Sequence, residues 1–389
     1  MEKIIINERP KHLDYTPVSK TKSFLLIIYI FICFYEQYIN NIIGPNTKYY
    51  ILIVAIAFLF GYRNIKFMTI HWLMISWLIF KIISVFWAFK IDYSSNNFSS
   101  HLLSQIGMIG LFVVLTIVKF DYKFVKKIID VSLYASISLG LLSLLFSEAY
   151  LGIESRQVLT ILGIQLDPNN LAAFHLIGIS IALYYIIFEK KNIMRNIVFV
   201  GINIFAVMIT GSRGGLFSLL VIIICFIIFN DTKEKKGGRL LKKLCFIAIL
   251  SIIIYLILKN FLPNATYTRL FDFESYKGGS DRDKLWESAI FLIKQKPFFG
   301  WGWGGYDSGI HNTYLSMLCD IGILGTLLFL ISLFIICYES VKSKNSLVII
   351  LLITGLSPSF FIDAINKRFF WNAIIICVMI LNSKKQKIQ

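Results

Sequence analysis

The sequence predicts an all-α membrane protein, a bundle of about twelve spanning helices. Three observations carry this: the composition, the spacing of the apolar runs, and the side on which the cations fall. Of 389 residues, 57% are hydrophobic and 16% charged, where soluble domains carry about 25% charged residues. So much Ile, Leu and Phe exceeds what soluble cores in a chain of this length hold. Spans of about 20 residues each fit a dozen times with short connections. The same arithmetic excludes collagen-like, coiled-coil, disordered and disulfide-scaffold classes.

In chain order, apolar runs bracket candidate spans at 23–39, 49–61, 67–89, 101–118, 128–149, 168–188, 196–210, 216–229, 245–259, 312–338, 347–364 and 371–381. If all twelve cross, both termini share one side. That side holds 25 of the 39 Lys and Arg residues, whereas the short loops opposite hold six: Lys48, Lys90, Arg156, Arg213, Lys367 and Arg368. Cations collect in cytoplasmic loops, so the termini are expected in the cytoplasm of a bacterial inner-membrane protein. The net charge of +17 then reports topology, and no nucleic-acid partner is needed to explain it. Met1 to Lys22 is polar and has no small-residue cleavage site, so no secretory leader is expected.

All six cysteines fall in or beside apolar runs, without a CxxC or Cys/His cluster, and read as buried small hydrophobes. Neither a structural metal nor a disulfide is expected, and no cofactor. The chain reads as a single transmembrane domain, 1–389, with one large outer (periplasmic) loop at 260–311 between the ninth and tenth spans.

Within that loop, Ser280-Asp281-Arg282-Asp283 has the spacing of a capping box, and Pro297 forbids continuation beyond Lys296. Leu285, Trp286, Ala289, Ile290 and Ile293 form one apolar stripe between them, so an amphipathic helix is expected on the membrane surface with Arg282 at its edge. The following Gly300-Trp301-Gly302-Trp303-Gly304-Gly305-Tyr306 cannot hold a helix and lets the backbone approach another surface. Its aromatic residues suit either an interfacial belt or flat faces for sugar rings. Thr210-Gly211-Ser212-Arg213-Gly214-Gly215 is a tight outward turn. Its arginine either snorkels to the interface or grips an anion beside glycine amides and a helix N-terminus. Asp167-Pro168 reads chiefly as a helix cap. His71 and His175 read as hydrogen-bonded core histidines. His311 instead sits outside the membrane just before a long span, where an imidazole with an ordinary pKa near 6.5 exchanges protons at neutral pH.

The ordered set Gly211-Ser212-Arg213-Gly214-Gly215, Arg282 before Leu285-Trp286, Pro297 with Gly300-Trp301-Gly302, His311-Asn312-Thr313-Tyr314-Leu315 and Gly322-Ile323-Leu324-Gly325 resembles the O-antigen ligase and Wzy-type O-antigen polymerase superfamily. The motifs cover about 160–330. The resemblance implies a GT-C-type glycosyltransferase that uses undecaprenyl-diphosphate-linked saccharides at the outer face of the inner membrane. By similarity Arg213 and Arg282 match diphosphate-binding arginines and His311 the essential histidine. Asp320 stands where the family often has a glutamate, and no role is carried onto it.

Metal-dependent relatives in the wider fold class hold a cation on carboxylates of the first outer loop. That loop, about 40–48, has no Asp or Glu, so metal-independent transfer is expected, with inversion. Gly211, Ser212, Gly214 and Asn312 are expected to contact the substrate, and Trp286, Trp301, Trp303 and Tyr306 to line a saccharide channel. The motifs look closer to polymerases, with ligation to lipid A-core or another terminal acceptor as the alternative and a lipid-linked-oligosaccharide flippase as the alternative from another class. Expected partners are the lipid-linked saccharides, membrane lipid, and a chain-length regulator and flippase of the same pathway.

Overall fold

A computed structural model describes residues 20–43, 65–88, 96–229, 260, 262–271, 282–306 and 309–383. The helices are α1 Lys20–Cys33, α2 Glu36–Ile43, α3 Thr69–Ile83 continued by a 3-10 turn Ser84–Trp87, α4 Asn96–Ile117, and α5 Tyr122–Phe146. A three-stranded antiparallel sheet follows: β1 Ser147–Tyr150, β2 Ile153–Ile161 and β3 Ile164–Gln165. After it come α6 Pro168–Tyr184, α7 Ile193–Ile209, α8 Arg213–Phe229, α9 Asn264–Phe271, α10 Arg282–Gln295, α11 Thr313–Lys342, α12 Ser346–Leu356 and α13 Arg368–Asn382.

Among the described residues four helical stretches are long and apolar enough to cross a membrane: Thr69–Trp87, Tyr122–Phe146, Pro168–Glu189 and Thr313–Lys342. Shorter apolar helices lie at Lys22–Cys33, Leu102–Ile117, Ile193–Ile209, Arg213–Phe229, Ser346–Phe360 and Arg368–Asn382. This is a helical membrane protein. The runs expected at 49–61 and 245–259 lie outside the described residues.

Three expectations are corrected. The protein is not all-α: the run expected as a span at 128–149 ends as helix at Phe146, and its last residues are strand. The two strand turns place Leu151 and Gly152, then Leu162 and Gly163, at positive φ, the conformation a two-residue hairpin turn requires. The run at 347–364 also breaks, into α12 and two 3-10 turns, because Pro358 has no N–H to continue a helix. Lastly, α11 is not one straight span, since Gly322 has φ 63 and ψ −167 inside it.

That break is filled by the glycine-aromatic segment. The amides of Trp301 and Gly302 donate to the carbonyls of Cys319 and Asp320 at 2.7 and 2.9 Å, and the amides of Ile323 and Leu324 donate to Pro297 and Phe298 carbonyls at 2.8 and 3.2 Å. Backbone freed by a broken helix must be paired when it is removed from water, and a neighbouring backbone does so here. Gly300 is required for the approach, because a Cβ there would lie 2.6 Å from the Cys319 carbonyl oxygen. α3 holds the other side of the segment: Trp303 donates its amide to Ser84 Oγ at 2.9 Å, and Trp87 donates Nε1 to the Phe299 carbonyl at 3.3 Å.

The core is a continuous apolar cluster centred on α3–α6 and α11–α13, with Trp77, Phe112, Phe329, Phe370 and Trp371 fully buried. The spans' histidines behave as expected. His71 contacts Thr116 Oγ1 at 2.8 Å, and His175 donates to Asn203 Oδ1 at 2.9 Å. Among the described residues, two ion pairs lie inside the bundle, Lys81 with Asp320 at 3.1 Å and Arg368 with Glu36.

Candidate functional site

A cavity of about 500 Å³ opens where four helices begin. Asp167, Asn169 and Asn170 come from the start of α6, Arg213 and Gly214 from α8, Arg282 is the first residue of α10, and His311 lies two residues before α11. Helix N-termini carry partial positive charge, so the backbone alone biases this space toward anions. Tyr150 and Arg156 come from the hairpin, Arg269 from α9, and Phe361, Ile362, Asp363 and Lys367 from the turns before α13.

The Gly-Ser-Arg-Gly-Gly turn is the hub. Ser212 is buried; its Oγ donates to Asn169 Oδ1 at 2.8 Å and accepts from the Gly215 amide at 3.0 Å, capping α8. Each glycine is pressed by a different element. At Gly211, φ +59, a Cβ would collide with the Ser155 carbonyl of β2, at Gly214 it would lie 2.8 Å from Phe361, and at Gly215 2.7 Å from Ala172. The turn therefore packs Arg213 among the hairpin, α6 and the α12–α13 turns. Arg269 closes it by donating Nε to the Gly211 carbonyl at 3.0 Å.

The His-Asn-Thr-Tyr-Leu segment is equally constrained. Asn312 is buried and caps α11, accepting from the Tyr314 and Leu315 amides at 3.0 and 3.2 Å. Thr313 Oγ1 donates to the Ile362 carbonyl at 2.6 Å and accepts from the Ala364 amide at 2.8 Å; Ser316 donates to Asp363 Oδ1 at 2.6 Å. Thr313 and Ser316 thus fasten the wall that carries Asp363 and Lys367. His311 itself is exposed at the cavity with φ 52, a left-handed conformation uncommon outside glycine, so the surrounding bonds hold its imidazole at the rim.

The charges are poorly solvated. Burial pulls the Arg156 guanidinium down to about 10 from its ordinary 12.5, Arg269 beside it adds to the shift, and Asp167 opposes it. Arg282 is lowered by burial as well, with Asp167 opposing and Arg213 and Arg269 adding. A guanidinium keeps its proton throughout this range, so both side chains face the cavity as cations. Asp167 is partly committed as the α6 cap, accepting from Asn169 and Asn170 amides. Among the described residues no group of three or more His, Cys, Asp or Glu is placed to hold a metal ion.

Of the residues singled out from sequence, Arg213, Arg282, His311 and Gly214 meet at the cavity. Gly211, Ser212 and Asn312 shape its walls without lining it. The four aromatic residues lie elsewhere. Trp286 donates to the Ile310 carbonyl at 3.0 Å, Trp301 to Leu292 at 2.9 Å and Tyr306 to Ser316 at 3.1 Å, while Trp303 is buried under the Lys81 ammonium. Their polar groups secure α10 and the glycine segment to α11. Around α10, Ala289 and Cys319 are buried together with Ile310, so one face of this helix packs on α11, while Ile290 and Phe291 stay exposed.

Sequence reasoning passed over Tyr150, Arg156, Arg269, Asp363 and Lys367. One signal was available: of the six outward short-loop cations, Arg156, Arg213 and Lys367 line the cavity.

Fold and cavity together define a helical membrane protein with a strongly cationic pocket, built from helix starts, beside one histidine. Residues 197–330, which carry Arg213, Arg269, Arg282 and His311, match the family model described as O-antigen ligase. The chain is also 25% identical over 230 residues to the ComP-specific O-oligosaccharyltransferase of Acinetobacter baylyi, covering 52% of this chain and 39% of that protein. It is 23% identical over 301 residues to an uncharacterized protein of Haemophilus influenzae, covering 69% of this chain and 73% of that one. Over residues 197–330 the chain is thus similar to the O-antigen ligase family.

Proposed function

We propose that the protein is a glycosyltransferase of the GT-C type that moves a glycan from undecaprenyl diphosphate to a hydroxyl acceptor at the outer face of the inner membrane. In this reading it is a surface-polysaccharide polymerase, and the acceptor is the next lipid-linked repeat unit. The observation that carries the proposal is the meeting of Arg213, Arg282 and His311 in a cavity formed by helix starts.

Arg213 and Arg282 hold the diphosphate and take up the charge that grows as the anomeric carbon–phosphate oxygen bond breaks; charge-assisted contacts of this kind are about twice as strong as neutral ones. His311 orients the acceptor hydroxyl or accepts its proton. The hydroxyl attacks the anomeric carbon in line, inverting it, and the diphosphate leaves with the bonding pair. Guanidinium groups supply the charge compensation that a metal ion would otherwise give, so transfer is metal-independent. Mid-bundle charges, on which a transport reading would draw, are engaged in the Lys81–Asp320 and Arg368–Glu36 pairs.

A second reading, ligation to a terminal acceptor, is favoured by the ligase description of the matched family and by the oligosaccharyltransferase relative. One experiment separates the two. The gene is deleted and restored as wild type, Arg213→Ala, Arg282→Ala or His311→Ala, and surface polysaccharide is resolved on a gel. Single repeat units on the acceptor identify lost polymerisation, and accumulated lipid-linked long chains identify lost ligation. Normal ladders from all three variants would overturn the site.

A further inference from the structure

The start of α6 presents two uncharged amides to the cavity. Asp167 caps the helix through Oδ1, accepting from the backbone amides of Asn169 and Asn170 at 2.9 and 3.1 Å, and Pro168 takes the first helical position. Capping uses only those backbone groups. The side chains of Asn169 and Asn170 are left over from it, and both residues line the cavity.

Their amides offer opposite ends. Asn169 Oδ1 accepts from the Ser212 hydroxyl at 2.8 Å, so Nδ2 is the end that remains to donate. Asn170 is 3% exposed, and its Oδ1 is buried without a hydrogen-bond donor among the described residues. A buried acceptor left unmade is costly. The terminal torsion of an asparagine is broad, so a turn of the amide plane brings this oxygen to a group bound in the cavity. A phosphate has no proton to give it, and the diphosphate itself is therefore the wrong partner. A donor beside an acceptor instead matches a sugar hydroxyl, which accepts and donates through one oxygen, or an acylamino group, which accepts at its carbonyl and donates at its N–H.

The spacing from the diphosphate clamp is fixed by backbone. Ser212, the partner of Asn169, is the residue before Arg213, and Ala172 presses on the start of α8 so closely that a Cβ at Gly215 would lie 2.7 Å from its own. In a lipid-linked glycan the group next to the diphosphate is the sugar bonded to it. A cavity of about 500 Å³ is of a size to take both.

We infer that Asn169 and Asn170 read the first sugar of the donor, Asn169 Nδ2 donating to, and Asn170 Oδ1 accepting from, a hydroxyl or acylamino substituent on its ring. The inference rests on the glycan-transfer reading of the cavity and adds a neutral specificity contact to the cationic clamp. Both residues precede the segment matched to the family.

The test uses the full-length protein in detergent and saturation-transfer NMR with five probes: inorganic pyrophosphate, cyclohexyl phosphate, glucose 1-phosphate, N-acetylglucosamine 1-phosphate and methyl glucoside. At least one sugar phosphate should bind about five- to tenfold tighter than cyclohexyl phosphate, the scale of one or two neutral hydrogen bonds. The tighter sugar phosphate assigns the substituent as hydroxyl or acylamino. Asn170→Leu should erase most of this margin, with pyrophosphate and cyclohexyl phosphate held within about threefold. Asn170→Asp, which keeps the acceptor and adds a negative charge, should preserve the margin while weakening all four phosphates. Arg213→Gln should likewise weaken the four phosphates and preserve the margin. Asn170→Ala replaces Asn170→Leu should the latter fail to fold. A margin absent from wild type, or unchanged in the apolar variant, would overturn the contact, as would equal weakening of every phosphate in that variant. A loss confined to methyl glucoside would move the amides to the acceptor and overturn the donor assignment. Phosphate binding that ignores Arg213→Gln, beside an intact Asn170-dependent margin, would sink the diphosphate clamp alone.

Discussion

Lys81 and Arg368 are 3% and 8% exposed, and each meets a carboxylate supplied by a distant helix. Arg368 donates Nη2 to Glu36 at 2.8 Å besides its Nε contact, and Lys81 lies 3.1 Å from Asp320 with its ammonium 4.7 Å from the Trp303 ring. The cavity arginines are placed the other way. Among the described residues, Arg156 and Arg282 have other arginines for neighbours, share the carboxylate of Asp167, and each keeps a buried Nε without an acceptor. The difference teaches how to sort buried cations in a membrane protein. Charge settled within the chain ties helices together, whereas charge left among its own kind marks where a ligand's anion goes.

The comparison is sharpened first at the cavity. Arg213→Ala and Arg282→Ala should each lower transfer by about 10²–10³-fold, the scale of removing one preorganised donor to developing charge, while abundance in the membrane stays near wild type. His311→Ala should cost about 10²–10⁴-fold on the same readout. At the ion pairs the expected result is inverted. Arg368→Met or Asp320→Leu leaves its partner charge buried and alone, at about 3–5 kcal/mol, seen as a lowered melting temperature and loss of protein from the membrane. The double variant Lys81→Met with Asp320→Leu should recover most of that stability, since replacing both partners of a buried pair is often neutral. An abundant, well-folded but inactive Arg368→Met would break the comparison. The smallest effect is Trp286→Phe, which removes one bond to Ile310 at about 1 kcal/mol and should leave activity unchanged.

The parts of this fold that were legible in sequence are those governed by local chemistry. Apolar runs located the helices, Pro297 closed α10, Asp167 capped α6 before Pro168, and glycines marked the turn at Arg213. The hairpin was not legible. Its turns use Leu-Gly in place of the Asn-Gly or Asp-Gly that signals a two-residue turn, and β1 continues an apolar helical run without a break. Arg156, Arg269 and Asp363 come from three separate segments and meet only in the folded chain, so no spacing rule joins them. The aromatic residues of 286–306 show the reverse: their composition suits sugars, yet the break in α11 claims the segment for backbone pairing, which no local pattern announces.

The bridge from Lys81 to Asp320 also sets an order of assembly. The lysine is synthesised well over half the chain before its carboxylate, and at roughly 5–20 residues per second a cation in an apolar helix waits on the order of ten seconds or more for its partner. Until then α3 is a poor membrane segment by itself, since an unpaired lysine at mid-span is costly. Its final position is fixed only when α11 and the glycine segment arrive, so a chain truncated before Asp320 leaves an exposed membrane charge for quality-control proteases to recognise.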